Sequence, residues 1–132
     1  MGKRRALGLL LCLLLLLCTA CGGRTQNDTG DLHCTVTIEC ATVLAHMDDL
    51  SPGKAEIVPA DGVLLPETVV AFSEGDTVFD VLQRVCRAQG IHMESNWTPA
   101  YNSAYIEGIG NLYEFDCGEG SGWMYRVNGE FP

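Results

Sequence analysis

The residues best suited to hold a ligand are aromatic side chains in the last third of the chain. Tyr and Trp rings can stack on a flat molecule and also donate a hydrogen bond, which makes them good recognition residues. The alternative is that these rings fill the core of a small sheet, together with Trp97 and Tyr113. We expect a binding surface made of Tyr101, Asn102, Tyr105, Trp123 and Tyr125.

Catalytic chemistry finds little support in the residue pattern. No Ser, His and Asp lie in a recognisable nucleophile motif, and Asp48-Asp49 and Glu114 with Asp116 have the spacing of solvated or strand positions. The glycine-rich segment 118–122 carries an acid and leads into a predicted strand, so it offers no helix N-terminus to a phosphate. We therefore predict that the protein is not an enzyme and has no intrinsic cofactor.

Four cysteines follow the N-terminal segment and could form disulfides in an exported protein. Cys34 and Cys40 are six residues apart on one predicted strand, which separates their Cα atoms by about 20 Å and prevents a bond between them. The other pairings, which involve Cys86 and Cys117, stay open. Cys86 has the position of a small core residue, and Cys117 that of an exposed thiol. Close ligand pairs of the kind that zinc requires are missing, so we expect no metal.

The N-terminus has the pattern of an export signal. Basic residues at 3–5 precede an apolar run over residues 6–17, which is too short to cross a bilayer. Thr19-Ala20-Cys21 resembles the box at which bacterial lipoproteins are cut, which implies lipid on Cys21 and a place on the extracytoplasmic side of the cell membrane. Plain secretion and an uncleaved anchor are the alternatives. We predict a signal peptide over residues 1–20, a flexible tether over 21–31 and a single domain over 32–132.

The charge of the chain argues against one class of partner. The formal net charge is −9, and loss of the three basic residues in the signal would change it to −12. Nucleic acid and anionic lipid headgroups are therefore poor partners, although an acidic surface also serves solubility alone.

The order of the elements predicts an α+β fold. A capping box at Thr77 and Asp80, apolar residues at helical spacing and Gly90 indicate one main helix. A short helical or turn segment is expected over 43–50, and irregular chain over 56–66. Such an order places one helix across one face of a mostly antiparallel sheet. The predicted strands are 32–41, 67–72, 91–96, 105–109, 112–115 and 123–127.

Three ordered blocks carry a resemblance to a known family. They are SEGDTVFDVL at 73–82, YNSAYIEGIG at 101–110 and SGWMYRVNG at 121–129. Over about 95 residues from Ile38 onward, the chain resembles the bacterial transcobalamin-like C-terminal domain, which is similar to the small β domain of the cobalamin carriers transcobalamin and intrinsic factor. The resemblance implies a β-grasp-like arrangement and a domain that covers one side of a small molecule, such as cobalamin or another corrinoid. A non-enzymatic module that docks an envelope protein at its open sheet edge is the rival hypothesis.

The Asn128-Gly129 pair predicts a tight hairpin turn close to the end of the sequence. Members of the family continue past this turn to a final strand, so the resemblance implies that the domain is incomplete and that Cys40 and Cys117 lack partners. We expect the edge of strand 123–127 to be open and the chain to be marginally stable or self-associating. A broken product without independent function is the third hypothesis.

Overall fold

The computed structural model describes residues 32–132. The predicted signal peptide, the tether and the lipid site Cys21 lie outside these residues. No helix in the described part of the chain is long and apolar enough to cross a membrane. The strands are β1 (Leu32–Glu39), β2 (Val63–Phe72), β3 (Met93–Thr98), β4 (Ser103–Ile109) and β5 (Leu112–Tyr113), the helix is α1 (Val78–Gln89), and three 3₁₀ helices span Ala41–Ala45, Met47–Asp49 and Ala55–Ile57.

The first sheet is an antiparallel pair of β1 and β2, which runs from Leu32 opposite Phe72 to Glu39 opposite Val63 and shifts register after Val36 and again after Ile38. The sequence predicted irregular chain up to Pro66, and this prediction is wrong for residues 63–66, which extend β2. Proline is tolerated there because Pro66 lies in a bulge, where two residues of β2 face one residue of β1.

The helix α1 follows the sequence pattern closely. The Thr77 hydroxyl accepts from the backbone N–H of Asp80, and the Asp80 carboxylate accepts from that of Thr77, so the predicted capping box is confirmed. The helix ends at Gly90, which has a left-handed backbone. Its inward face buries Val81, Val85 and Cys86, and these pack with Ile38, Leu65, Val70 and Ile109 of the strands.

The second sheet has the antiparallel order β3-β4-β5. One face turns Met93, Ile109 and Leu112 toward the core. The strand β3 begins two residues later than predicted because the chain must first leave α1, where the N–H of Ile91 still donates to the carbonyl of Cys86. Within residues 32–132, one α-helix with two mostly antiparallel sheets confirms the predicted α+β class.

The chain after β5 departs from the prediction. Phe115 has a φ of 65°, and Asp116 turns back to Tyr113, so β5 ends earlier than expected. The predicted strand 123–127 is wrong, because its residues find no ladder partner in the described chain apart from a single bridge between Val127 and Glu130. The turn itself is confirmed, with φ of 52° at Asn128 and 86° at Gly129, the left-handed pair that a two-residue hairpin turn requires.

Candidate functional site

The predicted residues Tyr101 and Asn102 lie at the tip of the β3–β4 hairpin. The N–H of Tyr101 donates to the carbonyl of Thr98, and Asn102 has a φ of 48°, which completes the turn. The Tyr101 side chain is 80% exposed, and Trp97, one residue before the last strand pair of the hairpin, is 56% exposed. Two aromatic rings are therefore open to solvent at one end of the second sheet.

Tyr105 lies on the other face of the same hairpin. It pairs with Asn96, whereas Trp97 pairs with Ala104, and side chains of paired residues share a face. The Tyr105 ring is 47% exposed, and its hydroxyl donates to the carboxylate of Glu114. Tyr105 and Trp97 consequently point to opposite sides of the sheet.

Trp123 lies near the opposite end of the sheet. Its indole N–H donates to the carbonyl of Leu112 at 2.8 Å, and the ring packs against the core. Leu112 pairs with Ile109, the last residue of β4, so about seven strand residues or roughly 20 Å separate this end from Tyr101. Tyr125 follows and is exposed. The five predicted residues are thus spread over two ends and both faces of the sheet.

The face that carries Tyr105 also holds a network that the sequence analysis missed. The hydroxyl of Tyr113 donates to Glu94 Oε1 at 2.8 Å, and His92 Nε2 lies 2.9 Å from the same oxygen. These two hydrogen bonds hold the pKa of the Glu94 carboxyl below its usual value, and the bond to Glu94 raises the pKa of Tyr113. The missed signal was the alternation of β3 and β4, which places Glu94 and Tyr105 on one face.

Glycine at position 108 permits this arrangement. Gly108 pairs with Tyr113, and a Cβ on Gly108 would lie 2.6 Å from Cδ1 of the Tyr113 ring. Real Cβ atoms do not approach other atoms so closely, so any larger residue would displace the ring. The Tyr113 ring therefore occupies the space that a side chain at position 108 would fill.

Lys54 reaches this face from the segment that connects β1 and β2 of the first sheet. Its ammonium lies 4.8 Å from the centre of the Tyr113 ring, 3.0 Å from Asp116 Oδ2 and 2.7 Å from the carbonyl oxygen of Asn111. Burial acts to raise the pKa of Asp116, but hydrogen bonds from the backbone N–H of Tyr113, from Lys54 and from Ser51 outweigh it and lower the pKa. A single ammonium is thus held by an aromatic ring, a carboxylate and a carbonyl.

Two acidic residues, Glu107 and Glu114, act on Tyr105. Glu114 accepts the hydroxyl hydrogen, and this bond, reinforced by the charge of Glu107, raises the pKa of Tyr105. Within the described residues, Glu107 and Glu114 have no salt-bridge partner. Negative charge is therefore left unpaired beside an exposed ring.

The four described cysteines are free. Burial raises the pKa of the Cys40 and Cys86 thiols, and the position of Cys86 inside the core confirms the prediction for this residue. Cys117 is half-buried, and its thiol lies 3.5 Å from the carbonyl oxygen of His46. No group of three His, Cys, Asp or Glu side chains in the described range could hold a metal ion.

An open depression of about 430 Å³ lies along α1. Asp76, Asp80, Gln83, Arg84, Arg87 and Ala88 line it, and the lining contains no aromatic side chain. Arg84 already bonds Asp76 and the carbonyl of Ala71, each at 2.7 Å. The depression is therefore separate from the aromatic residues of the second sheet.

Comparison with known proteins identifies one related domain family. Residues 75–132 match the family described as a domain of unknown function, DUF4430. The matched segment starts just before α1 and includes the second sheet and the Asn128-Gly129 turn. No curated protein matches the chain, and neither does any solved structure. The family match thus covers the part of the chain that carries all five predicted binding residues.

Proposed function

We propose that residues 32–132 form a non-catalytic binding domain of the transcobalamin-like type, which binds a flat small molecule such as a corrinoid. The observation that carries the proposal is the pair of open rings, Trp97 and Tyr101, at the β3–β4 hairpin end. The match of residues 75–132 to a domain family supports it, since two of the three resembling blocks and most of the third lie in that segment.

An open surface suits such a ligand. In the cobalamin carriers, the similar domain covers one side of the corrinoid and another domain covers the other side. Stacking on exposed Tyr and Trp rings needs no enclosed cavity, and each aromatic contact contributes about 0.5 to 1.5 kcal/mol beyond its buried area. Two rings and the side chain of Asn102 would therefore give weak binding, which a second domain or partner would strengthen.

We also propose that lipid on Cys21 holds this domain at the extracytoplasmic surface of the membrane. The basic residues at 3–5, the apolar run and the Thr19-Ala20-Cys21 box support this location. An anchored domain meets its ligand outside the cell, where the acidic net charge of the chain keeps it soluble.

Equilibrium dialysis against cyanocobalamin and cobinamide tests the ligand, because the visible absorbance of both corrinoids reports the bound amount directly. The full-length chain in a non-ionic detergent should show saturable binding at or below millimolar concentration. Tyr101→Ala and Trp97→Ala should each weaken binding by about two- to tenfold. Tyr125→Ala, which changes an exposed ring at the far end, is the matched control. Absence of saturable binding up to millimolar ligand would refute the proposal.

A second candidate function is protein docking, and a separate observation favours it. Residues 122–126 pair with no strand among the residues that the structure describes, and exposed apolar side chains surround them: Met124, Tyr125, Val127 and Phe131. Unpaired backbone beside apolar side chains can accept a strand from another protein. A photo-crosslinker at position 124 should then join the chain to one envelope protein, whereas the same crosslinker at position 83 on α1 should not.

A further inference from the structure

The outer face of the second sheet, defined here by Glu94, Asn96, Tyr105 and Tyr113, points away from the core. Register places these four residues on one side, because Asn96 pairs with Tyr105 and both Glu94 and Tyr113 pair with Gly108. The first three of them are exposed. The corrinoid proposal concerns Trp97 and Tyr101, and Trp97 lies on the opposite face, so the two surfaces can be tested separately.

The outer face has two halves, one around Tyr113 and one around Tyr105. The Tyr113 half already holds a cation. The Lys54 ammonium sits over the Tyr113 ring and against the Asp116 carboxylate, at 4.8 and 3.0 Å. Attraction of a cation to a ring face and to a carboxylate is a general mode of recognition for Lys and Arg side chains. This half is occupied by a residue of the chain itself.

The Tyr105 half presents the same chemistry without a cation. The exposed Tyr105 ring donates its hydroxyl hydrogen to the Glu114 carboxylate. Glu107, two residues further along β4, is adjacent to Glu114, whose backbone N–H donates to the Glu107 carbonyl at 2.9 Å. None of the described basic side chains lies over this ring or pairs with these carboxylates. The ring and the carboxylates therefore complement a positive group supplied from outside.

We propose that the outer face of the second sheet docks a basic, extended segment of a partner protein, with an Arg or Lys side chain of that segment placed on Tyr105 near the acidic residues Glu107 and Glu114. A free small cation is a poor occupant because a single exposed ring and screened carboxylates bind it only weakly. A segment with several basic residues adds contacts along β4, where outer positions recur about every 7 Å. The net charge of −9 also attracts a basic partner over longer distances.

Fluorescence anisotropy with a labelled ten-residue peptide of alternating Arg and Ser tests the proposal. The full-length chain in non-ionic detergent should bind the peptide at low salt and lose affinity as NaCl rises. The double variant Glu107→Gln, Glu114→Gln should bind at least fivefold more weakly. The control variant Glu67→Gln, Glu74→Gln removes the same charge from exposed positions of β2 and the following turn, and its affinity should fall less than twofold.

Two variants of Tyr105 separate ring recognition from charge alone. Tyr105→Leu removes the π face and should weaken binding about two- to fivefold, whereas Tyr105→Phe keeps it and should remain within twofold of the unmodified chain. Unchanged Trp fluorescence spectra confirm that the variants are folded. Equal losses of peptide affinity in the two double variants would overturn the proposal, because the net charge of the protein alone would then explain binding. The proposal would also be overturned if spermidine displaced the labelled peptide as strongly as an unlabelled peptide does at equal total charge.

Discussion

Removal of the Lys54 ammonium provides the sharpest test of how the two halves of the domain are joined. Lys54 precedes the 3₁₀ helix Ala55–Ile57, yet its Nζ bonds Asp116 and the carbonyl of Asn111, which is 57 residues away in sequence. The Lys54 side chain is 26% exposed and that of Asp116 is 12% exposed, so the pair is shielded from water. Lys54→Met keeps the apolar stem but leaves the carboxylate without its ammonium.

The expected cost follows from the bonds that are lost. A hydrogen bond to a charged group contributes about 1.5 to 3 kcal/mol, and the retained N–H of Tyr113 limits the loss at Asp116. We expect Lys54→Met to lower the free energy of unfolding by about 2 kcal/mol. That is a large part of the total of about 5 to 15 kcal/mol that is typical of a domain. The urea midpoint should fall by about 1 M.

Urea unfolding followed by Trp fluorescence measures this change, because both Trp residues lie in the described domain. Arg87→Met, which removes one positive charge from the exposed side of α1, is the matched control and should cost about 0.5 kcal/mol. A double-mutant cycle with Asp116→Asn should give a coupling energy of about 1 kcal/mol or more. Equal losses for Lys54→Met and Arg87→Met would refute the reasoning.

The same pair predicts a pH dependence. The folded pKa of Asp116 is lowered, so its contribution to stability is complete above the unfolded carboxyl pKa of about 4 and disappears as the pH falls through the lower folded pKa. The difference in stability between the unmodified chain and Asp116→Asn should therefore shrink as the pH falls below about 4. A constant difference from pH 7 to pH 2 would show that the charge of Asp116 does not contribute.

Three further predictions concern other parts of the chain. Cys21→Ser should abolish labelling with a radioactive fatty acid and release the protein from the membrane fraction, and persistent labelling would contradict the lipid site. Gly108→Ala should lower stability by about 1 to 3 kcal/mol because the methyl group meets the Tyr113 ring, and the double variant with Tyr113→Ala should recover part of the loss. Backbone amides of residues 122–126 should exchange hydrogen much faster than those of α1, since they donate no backbone hydrogen bond within the described chain. Protection of these amides equal to that of α1 would show that the segment is paired.

Some parts of the fold were predictable because their signals are local. The capping box forms between Thr77 and Asp80, which lie within one helical turn, and the spacing of the apolar residues in α1 indicates which face is buried. The Asn128-Gly129 pair adopts the backbone angles that these residue types favour. In both cases, neighbouring residues determine the geometry, so the prediction needed no knowledge of the tertiary structure.

Strand boundaries were less predictable because pairing depends on distant residues. Pro66 marked the end of an irregular segment in the sequence, yet β2 accepts it in a bulge opposite β1. Residues 123–127 have a strand pattern, but no neighbouring strand in the described chain pairs with them. A strand forms only where a partner completes its hydrogen bonds, and the alternation of residue types cannot show whether that partner is present.

The sequence by itself determined the α+β class, the position of α1 and the concentration of aromatic residues in the last third. Only the tertiary structure decided that these aromatic residues divide between two faces and two ends of the second sheet. It also decided that Lys54 joins Tyr113 and Asp116, while Tyr105 stays beside carboxylates without a cation. The physical reason is that β-sheet register determines which side chains share a face, and it depends on pairing between separate strands. The long Lys54 side chain likewise reaches residues that are far away in the sequence, so sequence separation does not reveal these contacts.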